Sequence, residues 1–485
     1  MLFRFLILLF LVSCQQVAKP PPNTLRMSFL QDPATIDPRK SSDYTSSTLI
    51  CLLFEGLTRC TGGVDVELAI AENVELSQDR KVYTFHLRKT LWSNGQSVTA
   101  FDFERSWKTL LTPGFPSPCA YLLFPIKNAE NYAKGLCHDI GVQAMDDYTL
   151  KVELEKPTPY FLSLTAFPLY FPSPSQSNVF NGPFIIDKMD IGSQILLKRN
   201  PIFWKTVPLE NIHISIVRDE LTAIHMFEKG ELDLLGGPLT PLTLDILPKK
   251  LPYHLIPMAA STFCTLNTKA LNKEIRMDLW SAIRNHPEMN QEIKSWGQIP
   301  TTHILPPSLR ENFQKEEHFN PVISLVKNKN VNVLMNRCTS TPLTLYYKNH
   351  PLEKKMAQTL QKAWKDSGFD VRIEQVESKS LMKKLYQKNY QLSLASWIAQ
   401  YHDPMNILER FKDETNAKNY PGWSSPELNH LLADHECDKG EQLLEEEAIL
   451  IPLYHWNSPL LLHPRVRGFS STSTGGLILE RISLQ

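Results

Sequence analysis

The sequence predicts an α/β fold, and two features support this prediction. The chain has 485 residues, which corresponds to roughly three domains at about 150 residues per domain. In its second half, segments with the two-residue period of a strand alternate with segments that have the period of a helix. This alternation is typical of parallel strands joined by helical crossovers. We therefore expect domains with large cores built from such units.

The first residues are typical of a bacterial lipoprotein signal. The segment from Phe5 to Val12 has no polar side chain, but it is far shorter than the roughly 20 apolar residues that span a membrane. The stretch Leu11-Val12-Ser13-Cys14 has the form of a lipoprotein cleavage site, so we expect residues 1–13 to be removed and Cys14 to be lipidated. The polar, proline-rich residues 14–24 would form a tether. The alternative is that the apolar run begins a first strand.

Charge and cysteine content narrow the classes of partner. The 51 basic and 51 acidic residues cancel and form no long run of either sign, so neither nucleic acid nor an anionic membrane surface is an expected partner. No later segment is apolar for long enough to span a membrane, which leaves the predicted lipid as the membrane attachment. Seven cysteines remain besides Cys14, and their wide spacing predicts neither a zinc site nor a disulfide framework. Their pairing stays open, and at least one of the seven has no partner within the chain.

Local patterns predict the elements of the first half. Tyr83, Phe85 and Leu87 alternate with more polar residues, which predicts a strand over residues 82–87. A turn at 93–95 precedes a helix, because Thr99 and Asp102 have the spacing of a capping box. The apolar face of this helix is predicted to consist of Phe103, Trp107, Leu110 and Leu111. We expect its tryptophan, and Trp92 before it, to pack in the core.

In the second half, the pattern predicts a strand, a helix and a second strand in succession. The first strand covers residues 343–347, and Gly368 lies where the helix should end. Phe369, Val371 and Ile373 alternate as the second strand, which we expect to lie parallel to the first. A further helix with Leu381 follows, and then a strand over residues 391–396. The helix between the first two strands is predicted to bury Met356, Leu360, Ala363 and Trp364.

The segment from Trp397 to Asp403 is a candidate binding site. It follows a predicted strand, and ligands of open parallel sheets bind outside the carboxyl ends of the strands. Gln400, His402 and Asp403 carry polar groups that are costly to bury without partners. Core packing is the alternative for Trp397 alone. The segment as a whole is therefore predicted to form a site or its rim.

The order of several motifs resembles one protein family. Tyr83-Thr84-Phe85-His86-Leu87-Arg88, followed by Trp92-Ser93-Asn94-Gly95 and Val98-Thr99-Ala100, is the most specific match. With these motifs the chain resembles the extracytoplasmic substrate-binding proteins of peptide ABC transporters, the oligopeptide- and dipeptide-binding family, also called bacterial solute-binding protein family 5. The likeness weakens from about Ile275 to Met335. Further matching segments are residues 32–38, 53–57, 102–107, 181–184, 198–204, 230–233 and 451–454.

The resemblance implies a fold and a division into domains. The fold is the two-lobed clamshell of type II periplasmic binding proteins, with an extra subdomain inserted in the first lobe. Ligand binding would close the hinge, and a permease would recognise the closed form. The implied limits are residues 25–58 and 179–238 for lobe one, 59–178 for its inserted subdomain, 239–454 for lobe two, and 455–485 for the return to lobe one.

The resemblance also implies which residues bind the ligand. In peptide binders of this family a motif Trp-x-x-Asp-Tyr-x-Asp/Glu-Pro lies at the site, and its first acid pairs with the α-ammonium of the peptide. The matching residues here are Trp397, Gln400, Tyr401 and Asp403, so a neutral side chain replaces that acid. An unpaired buried charge costs on the order of 3 to 5 kcal/mol, which would weaken the binding of free-amine peptides. We expect an extended ligand between the strand of Phe263 and the Trp397 segment.

Other functions are less well supported by the sequence. It contains no His-Glu-x-x-His, Gly-x-Ser-x-Gly or Walker motif, so no enzyme and no cofactor is predicted. The main hypothesis is a monomeric, lipid-anchored protein on the periplasmic side of a bacterial envelope membrane, which delivers peptides or peptide-like ligands to an ABC permease. One alternative is a carrier of a metal complex, haem or another non-peptide solute. Another is a surface receptor that has the fold but takes no part in transport.

Overall fold

The computed structural model of the protein describes residues 23–62, 66–240, 242–284, 286, 288–310, 342–472 and 474–485. The predicted lipidation site Cys14 lies outside these residues, so its modification stays a prediction. Within the described ranges, no helix has both the length and the apolar character needed to cross a bilayer. The following cysteines are free thiols: Cys51, Cys60, Cys119, Cys137 and Cys264.

The strands vary in length from two to thirteen residues. In chain order they are β1 Thr24–Phe29, β2 Thr58–Cys60, β3 Val66–Leu68, β4 Ala71–Leu76, β5 Val82–Leu87, β6 Val142–Asp146, β7 Thr149–Glu153, β8 Phe184–Asp190, β9 Gln194–Arg199, β10 Asn211–Ile216, β11 Leu234–Gly236, β12 His254–Leu266, β13 Ile299–Pro300, β14 Leu343–Lys348, β15 Val371–Val376, β16 Leu392–Ile398, β17 Leu450–Leu462, β18 Val466–Arg467, β19 Ser470–Ser471, β20 Leu477–Ile478 and β21 Ser483–Leu484.

The helices of the described residues connect these strands. In chain order they are α1 Tyr44–Leu53, α2 Ala100–Leu111, α3 Ala129–Ala133, α4 Phe161–Leu164, α5 Glu220–Glu228, α6 Lys273–Arg284, α7 Met289–Ser295, α8 Pro351–Asp366, α9 Ser378–Tyr386, α10 Met405–Leu408, α11 Pro426–Ala433 and α12 Cys437–Glu446.

The largest sheet formed by the described residues has eleven strands of mixed orientation. Ten lie side by side in the order β15-β14-β16-β12-β17-β11-β1-β10-β9-β8, and β13 pairs with β17 outside this path. β14 is parallel to β15 and β16, and β1 is parallel to β10 and β11. The sheet therefore has one parallel unit on either side of the central pair, β12 and β17.

The two longest strands, β12 and β17, connect the two halves of the sheet. They are antiparallel, and their pairing runs from His254 opposite Leu460 to Thr265 opposite Leu450. The register shifts twice, between Pro257 and Ser261 and between Thr262 and Phe263. β12 also pairs with β16, and the carboxyl end of β17 pairs with β11. The chain thus passes between the two halves along these neighbouring strands. The domain boundary predicted at residues 454 and 455 falls inside β17.

The predicted elements of the first half are present. The sheet β4-β5-β7-β6 lies in the segment predicted as the inserted subdomain. β5 buries the three apolar residues of its predicted inner face, and α2 buries its apolar stripe including Trp107. The carboxylate of Asp102 accepts a hydrogen bond from the backbone N–H of Thr99 at 2.9 Å, as in a capping box. The indole of Trp92 is also buried, and it donates to the same carboxylate at 3.2 Å.

The strand-helix-strand unit of the second half is confirmed. β14 and β15 are parallel neighbours, and α8 between them buries the four predicted apolar residues completely. Gly368 has a φ of +89°, the left-handed conformation that commonly ends a helix. The second strand starts later than predicted, at Val371, although Phe369 before it is buried. α9 lies where the next helix was expected.

β16 differs from the prediction at its carboxyl end. It continues through Trp397 to Ile398, two residues beyond the predicted end. Trp397 is opposite Ser261 of β12, and Ile398 is opposite Ala260. Pairing with a distant strand extends β16 beyond its local pattern, so the candidate site begins within the sheet.

Candidate functional site

A cavity of about 320 Å³ lies where several parts of the chain meet. Its walls include residues of α1 and of the segment after it, residues 166–168 and Phe171, the segment Ile398 to Gln400, and residues from 472 to 480. The volume is at the lower end of the range for small-ligand pockets. Because the walls come from both sides of the central strand pair, the cavity can bind a ligand that contacts both halves of the molecule.

Gln400 is the one predicted ligand-binding residue in the described walls of this cavity. Its Oε1 accepts a hydrogen bond of 2.6 Å from the hydroxyl of Tyr121. Its Nε2 lies 3.8 Å from the sulfur of Cys119, which also lines the cavity. The side chain is therefore held by residues of the predicted inserted subdomain.

Trp397 and Tyr401 are buried beside the cavity and are not among its described wall residues. The indole Nε1 of Trp397 donates to Oδ1 of Asn406 at 3.1 Å. Tyr401 stacks on Tyr160, with ring centroids 4.7 Å apart and an angle of 14° between the rings. Burial raises the pKa of Tyr401 well above its ordinary value, and so does the nearby Tyr160. The stacking on Tyr160 holds the Trp397 segment against the first half of the chain, and the bond to Asn406 orients the indole within the second half.

Asp403 has a structural role in the loop after Tyr401. It is 7% exposed, and its Oδ1 accepts from the backbone N–H of Met405 at 2.8 Å, at the start of α10. Its Oδ2 lies 3.5 Å from Nε2 of His435. The carboxylate thus has protein contacts and is not in the described cavity wall.

Phe263 lies in the hydrophobic core and is not among the described residues of the cavity wall. It is 2% exposed. It sits in β12 opposite Ala395 of β16. Since β12 and β16 are hydrogen-bonded neighbours, no ligand can lie between the strand of Phe263 and that of Trp397. The predicted ligand position between these two strands therefore disagrees with their pairing, and where a ligand binds stays a prediction.

A second group of polar residues lines another part of the cavity. Oε1 of Glu55 lies 3.1 Å from the guanidinium of Arg59, and its Oε2 accepts from the indole of Trp204 at 2.5 Å. Burial raises the pKa of Glu55 to about 7, although Arg59 lowers it. Cys51, Cys60 and Glu480 line the same region. The matching motif at residues 53–57 was the one sequence signal that pointed to Glu55.

One acidic group outside the cavity has the composition of a metal site. Ligand atoms of His303, Glu441 and Glu445 lie within 4.8 Å of one another. However, Oε2 of Glu441 is 2.6 Å from the guanidinium of Arg310, and its Oε1 accepts from the backbone N–H of Leu305 at 2.7 Å. These contacts account for the buried carboxylate without an ion.

Comparison with known proteins connects this architecture to one family. A family model described as bacterial extracellular solute-binding proteins, family 5 middle, matches residues 65–419. The oligopeptide-binding protein OppA of Bacillus subtilis (strain 168) is 31% identical, covering 93% of this chain and 91% of that protein. The dipeptide-binding protein DppE of the same strain is 29% identical, covering 93% and 90%.

A solved structure gives the same result for the fold. The substrate-binding domain of an oligopeptide ABC transporter from Bacillus anthracis (strain Ames) is similar with a TM-score of 0.74 at 26% identity. The match covers 96% of this chain and 99% of that chain. The predicted α/β clamshell is therefore confirmed as the fold class.

Proposed function

Because the chain belongs to family 5 of the bacterial extracellular solute-binding proteins, we propose that it captures peptides outside the cytoplasm and delivers them to an ABC permease. The observation that carries this proposal is the similarity to an oligopeptide-binding and a dipeptide-binding protein over 93% of the chain. Proteins of this family bind solutes and are not enzymes. The cavity beside Gln400 is where the peptide would bind.

Peptide binding would stabilise a closed arrangement of the two halves. A ligand in the cavity contacts both Gln400 and the residues around α1. It would thereby favour the state in which Tyr121 bonds to Gln400 and Tyr160 stacks on Tyr401. The hinge would lie in β12 and β17, where the pairing shifts register beyond Pro257. The permease would recognise the closed form.

The attachment and location of the protein are part of the same proposal. Lipidation of Cys14 would anchor the protein on the periplasmic side of an envelope membrane. The anchored protein would be a monomer. Residues 14–24 would keep the binding domains clear of the bilayer. This position places the cavity where it can collect ligands for a permease in the same membrane.

Mass spectrometry of the ligands that copurify with the full-length protein tests the peptide class. We expect a mixture of short peptides without one obligatory side chain, because binding through main-chain groups and water tolerates varied sequences. Finding a stoichiometric transition metal or haem instead would favour the metal-complex alternative and overturn the peptide proposal.

A deletion strain tests the transport step separately. Loss of the protein should reduce the uptake of labelled peptides, and re-expression should restore it. If the purified protein binds peptides but uptake is unchanged in the deletion strain, delivery to a permease is wrong and a receptor role is favoured.

A further inference from the structure

The amide of Gln400 offers the cavity a hydrogen-bond donor. Its single oxygen already accepts the hydroxyl proton of Tyr121 over 2.6 Å, a short hydrogen bond. The amide nitrogen has two hydrogens, and its nearest described partner is the sulfur of Cys119, a weak acceptor, at 3.8 Å. The amide N–H groups of Gln400 are therefore less fully engaged by the protein than its oxygen, and a ligand group beside Gln400 would accept a hydrogen bond from them. An ammonium would find no negative charge on Gln400 to neutralise it.

Two cationic side chains lie directly behind this wall. Nζ of Lys418 is 3.8 Å from the ring centroid of Tyr121, the residue that holds Gln400. The guanidinium of Arg410 is 6.0 Å from the ring centroid of Trp397, and its Nε is buried without a hydrogen-bond partner in the described structure. Among the described residues, neither Lys418 nor Arg410 forms an ion pair. The nearby carboxylate of Glu409 pairs with Lys412 instead. The positive charge of Lys418 and Arg410 is thus not neutralised locally.

Different charged groups act on the two sides of the cavity. The pKa of Cys51 is raised by burial and by the nearby Cys60 and Glu480. The pKa of Cys119, beside Gln400, is raised by burial but lowered by the charge of Lys418. The Glu480 carboxylate thus acts at the Cys51 side of the cavity, which also holds the ion pair of Glu55 and Arg59, and the Lys418 ammonium acts at the Gln400 side.

We propose that the Gln400 wall binds an oxyanion of the ligand, such as a carboxylate, and disfavours an ammonium. This inference rests on the proposed peptide-binding function and specifies the end group that the wall selects. The N–H of Gln400 would donate to the oxyanion, and Lys418 and Arg410 would stabilise its charge through a partly buried, low-dielectric region. The carboxylate could be the C-terminus of a peptide or an acidic group attached to its amine.

Four forms of one random tetrapeptide library distinguish these cases. Their ends are free amine with C-terminal amide, acetyl with amide, acetyl with free carboxylate, and succinyl with amide. Equimolar pools compete for the full-length protein, and native mass spectrometry measures the bound fractions. We expect one or both of the carboxylate forms to bind at least about tenfold more tightly than the free-amine amide, which corresponds to one charge-assisted hydrogen bond.

The outcomes separate the inference from the function on which it rests. If the free-amine amide binds as well as or better than both carboxylate forms, the inference is wrong while peptide binding stands. If no form binds, the proposed function itself fails. A preference for only the succinyl form or only the free C-terminus identifies which end of the peptide meets Gln400.

Lys418→Gln tests the source of the selectivity. The substitution removes the charge over Tyr121 and should reduce the preference for a carboxylate about tenfold, with little effect on the acetyl amide form. Lys412→Gln is the matched control, because Lys412 has Glu409 3.5 Å away as its partner. If Lys418→Gln and Lys412→Gln reduced the preference for a carboxylate equally, the assignment to Lys418 would be contradicted. Lys418→Gln weakening the charged and the neutral ligand forms equally would contradict it as well.

Gln400→Asp gives the complementary test. A carboxylate at position 400 should repel the oxyanion and favour the free-amine form, reversing the order of the four pools. Asp403→Asn tests whether Asp403, three residues after Gln400, binds an ammonium in place of the residue at position 400. If the wild type prefers the free amine and loses that preference only in Asp403→Asn, Asp403 binds an ammonium and the role given to Gln400 is wrong.

Discussion

Glu55 is a buried carboxylate whose ionisation should make stability depend on pH. Burial raises its pKa from 4.5 to about 7. The folded protein therefore holds this proton more tightly than the unfolded chain does. The free energy of unfolding should fall as the pH rises from 4.5 to about 7. A shift of this size corresponds to about 3 kcal/mol.

Glu55→Gln removes this ionisable group and should flatten the dependence. Urea denaturation at pH 5 and at pH 7.5 measures the free energy of unfolding of both proteins. The variant should gain stability relative to the wild type at the higher pH. Glu72→Gln, at an exposed position of β4, is the control and should show no such change. The same difference between variant and wild type at both pH values would contradict the pKa of Glu55.

The sequence predicted Gln400 as a site residue but did not point to the residues that orient its side chain. Its position followed from a motif of neighbouring residues, which local order preserves. Tyr121 lies 279 residues earlier in the chain, and the sequence around it has no motif that indicates a contact. Cys119 is similarly distant from Gln400 in the sequence, and Lys418, although it follows Gln400 in the second half, lies against Tyr121 of the first half. Such contacts depend on how the two halves meet, and a local pattern carries no information about that.

At the scale of secondary structure, elements with a one-sided apolar pattern were predicted well. β5, α2 and α8 each have one face in the core, so their period is visible in the sequence. β12 and β17 were not predicted as the central pair. Most residues of both strands are buried on both faces, so no alternation marks them. Their pairing joins segments nearly two hundred residues apart.

The central strand pair contains a buried histidine that predicts acid sensitivity. Nδ1 of His455 in β17 lies 2.9 Å from Oγ of Ser261 in β12. Burial lowers the pKa of His455 from 6.5 to about 3, and the charges of Arg310 and His303 act in the same direction. The unfolded chain therefore binds this proton first. Stability is full above pH 6.5 and should be lost by as much as about 4 kcal/mol as the pH falls toward 3.

His455→Gln should reduce the loss of stability at low pH. Thermal or urea unfolding at pH 7 and at pH 4 measures the difference between variant and wild type at each pH. The variant should be less stable than the wild type at pH 7, because it loses a packed side chain. Its free energy of unfolding should fall less than that of the wild type between pH 7 and pH 4. His254→Gln, at the exposed start of β12, serves as the control. An unchanged acid response in His455→Gln would show that other groups control it.

At the scale of the whole molecule, the predicted lipid anchor separates location from binding. Cys14→Ser should release the protein from membranes, because serine cannot accept the thioether-linked lipid. Ligand affinity should not change, since Cys14 comes before β1 and before the residues that line the cavity. Fractionation of cells followed by calorimetry on the purified variant measures both properties. A variant that is still cleaved after Ser13 and still extracts with membranes would contradict lipidation at Cys14.

The position of β17 in the sheet also determines when the molecule can fold. β17 lies between β11 and β12, yet a ribosome completes it only after almost all the other strands. Until Leu460–Leu462 are made, β11 has an unpaired edge, and β12 has one along most of its length. Exposed edges favour aggregation, and pairing between distant segments is slow. The nascent chain should therefore remain incompletely folded until its synthesis is nearly finished.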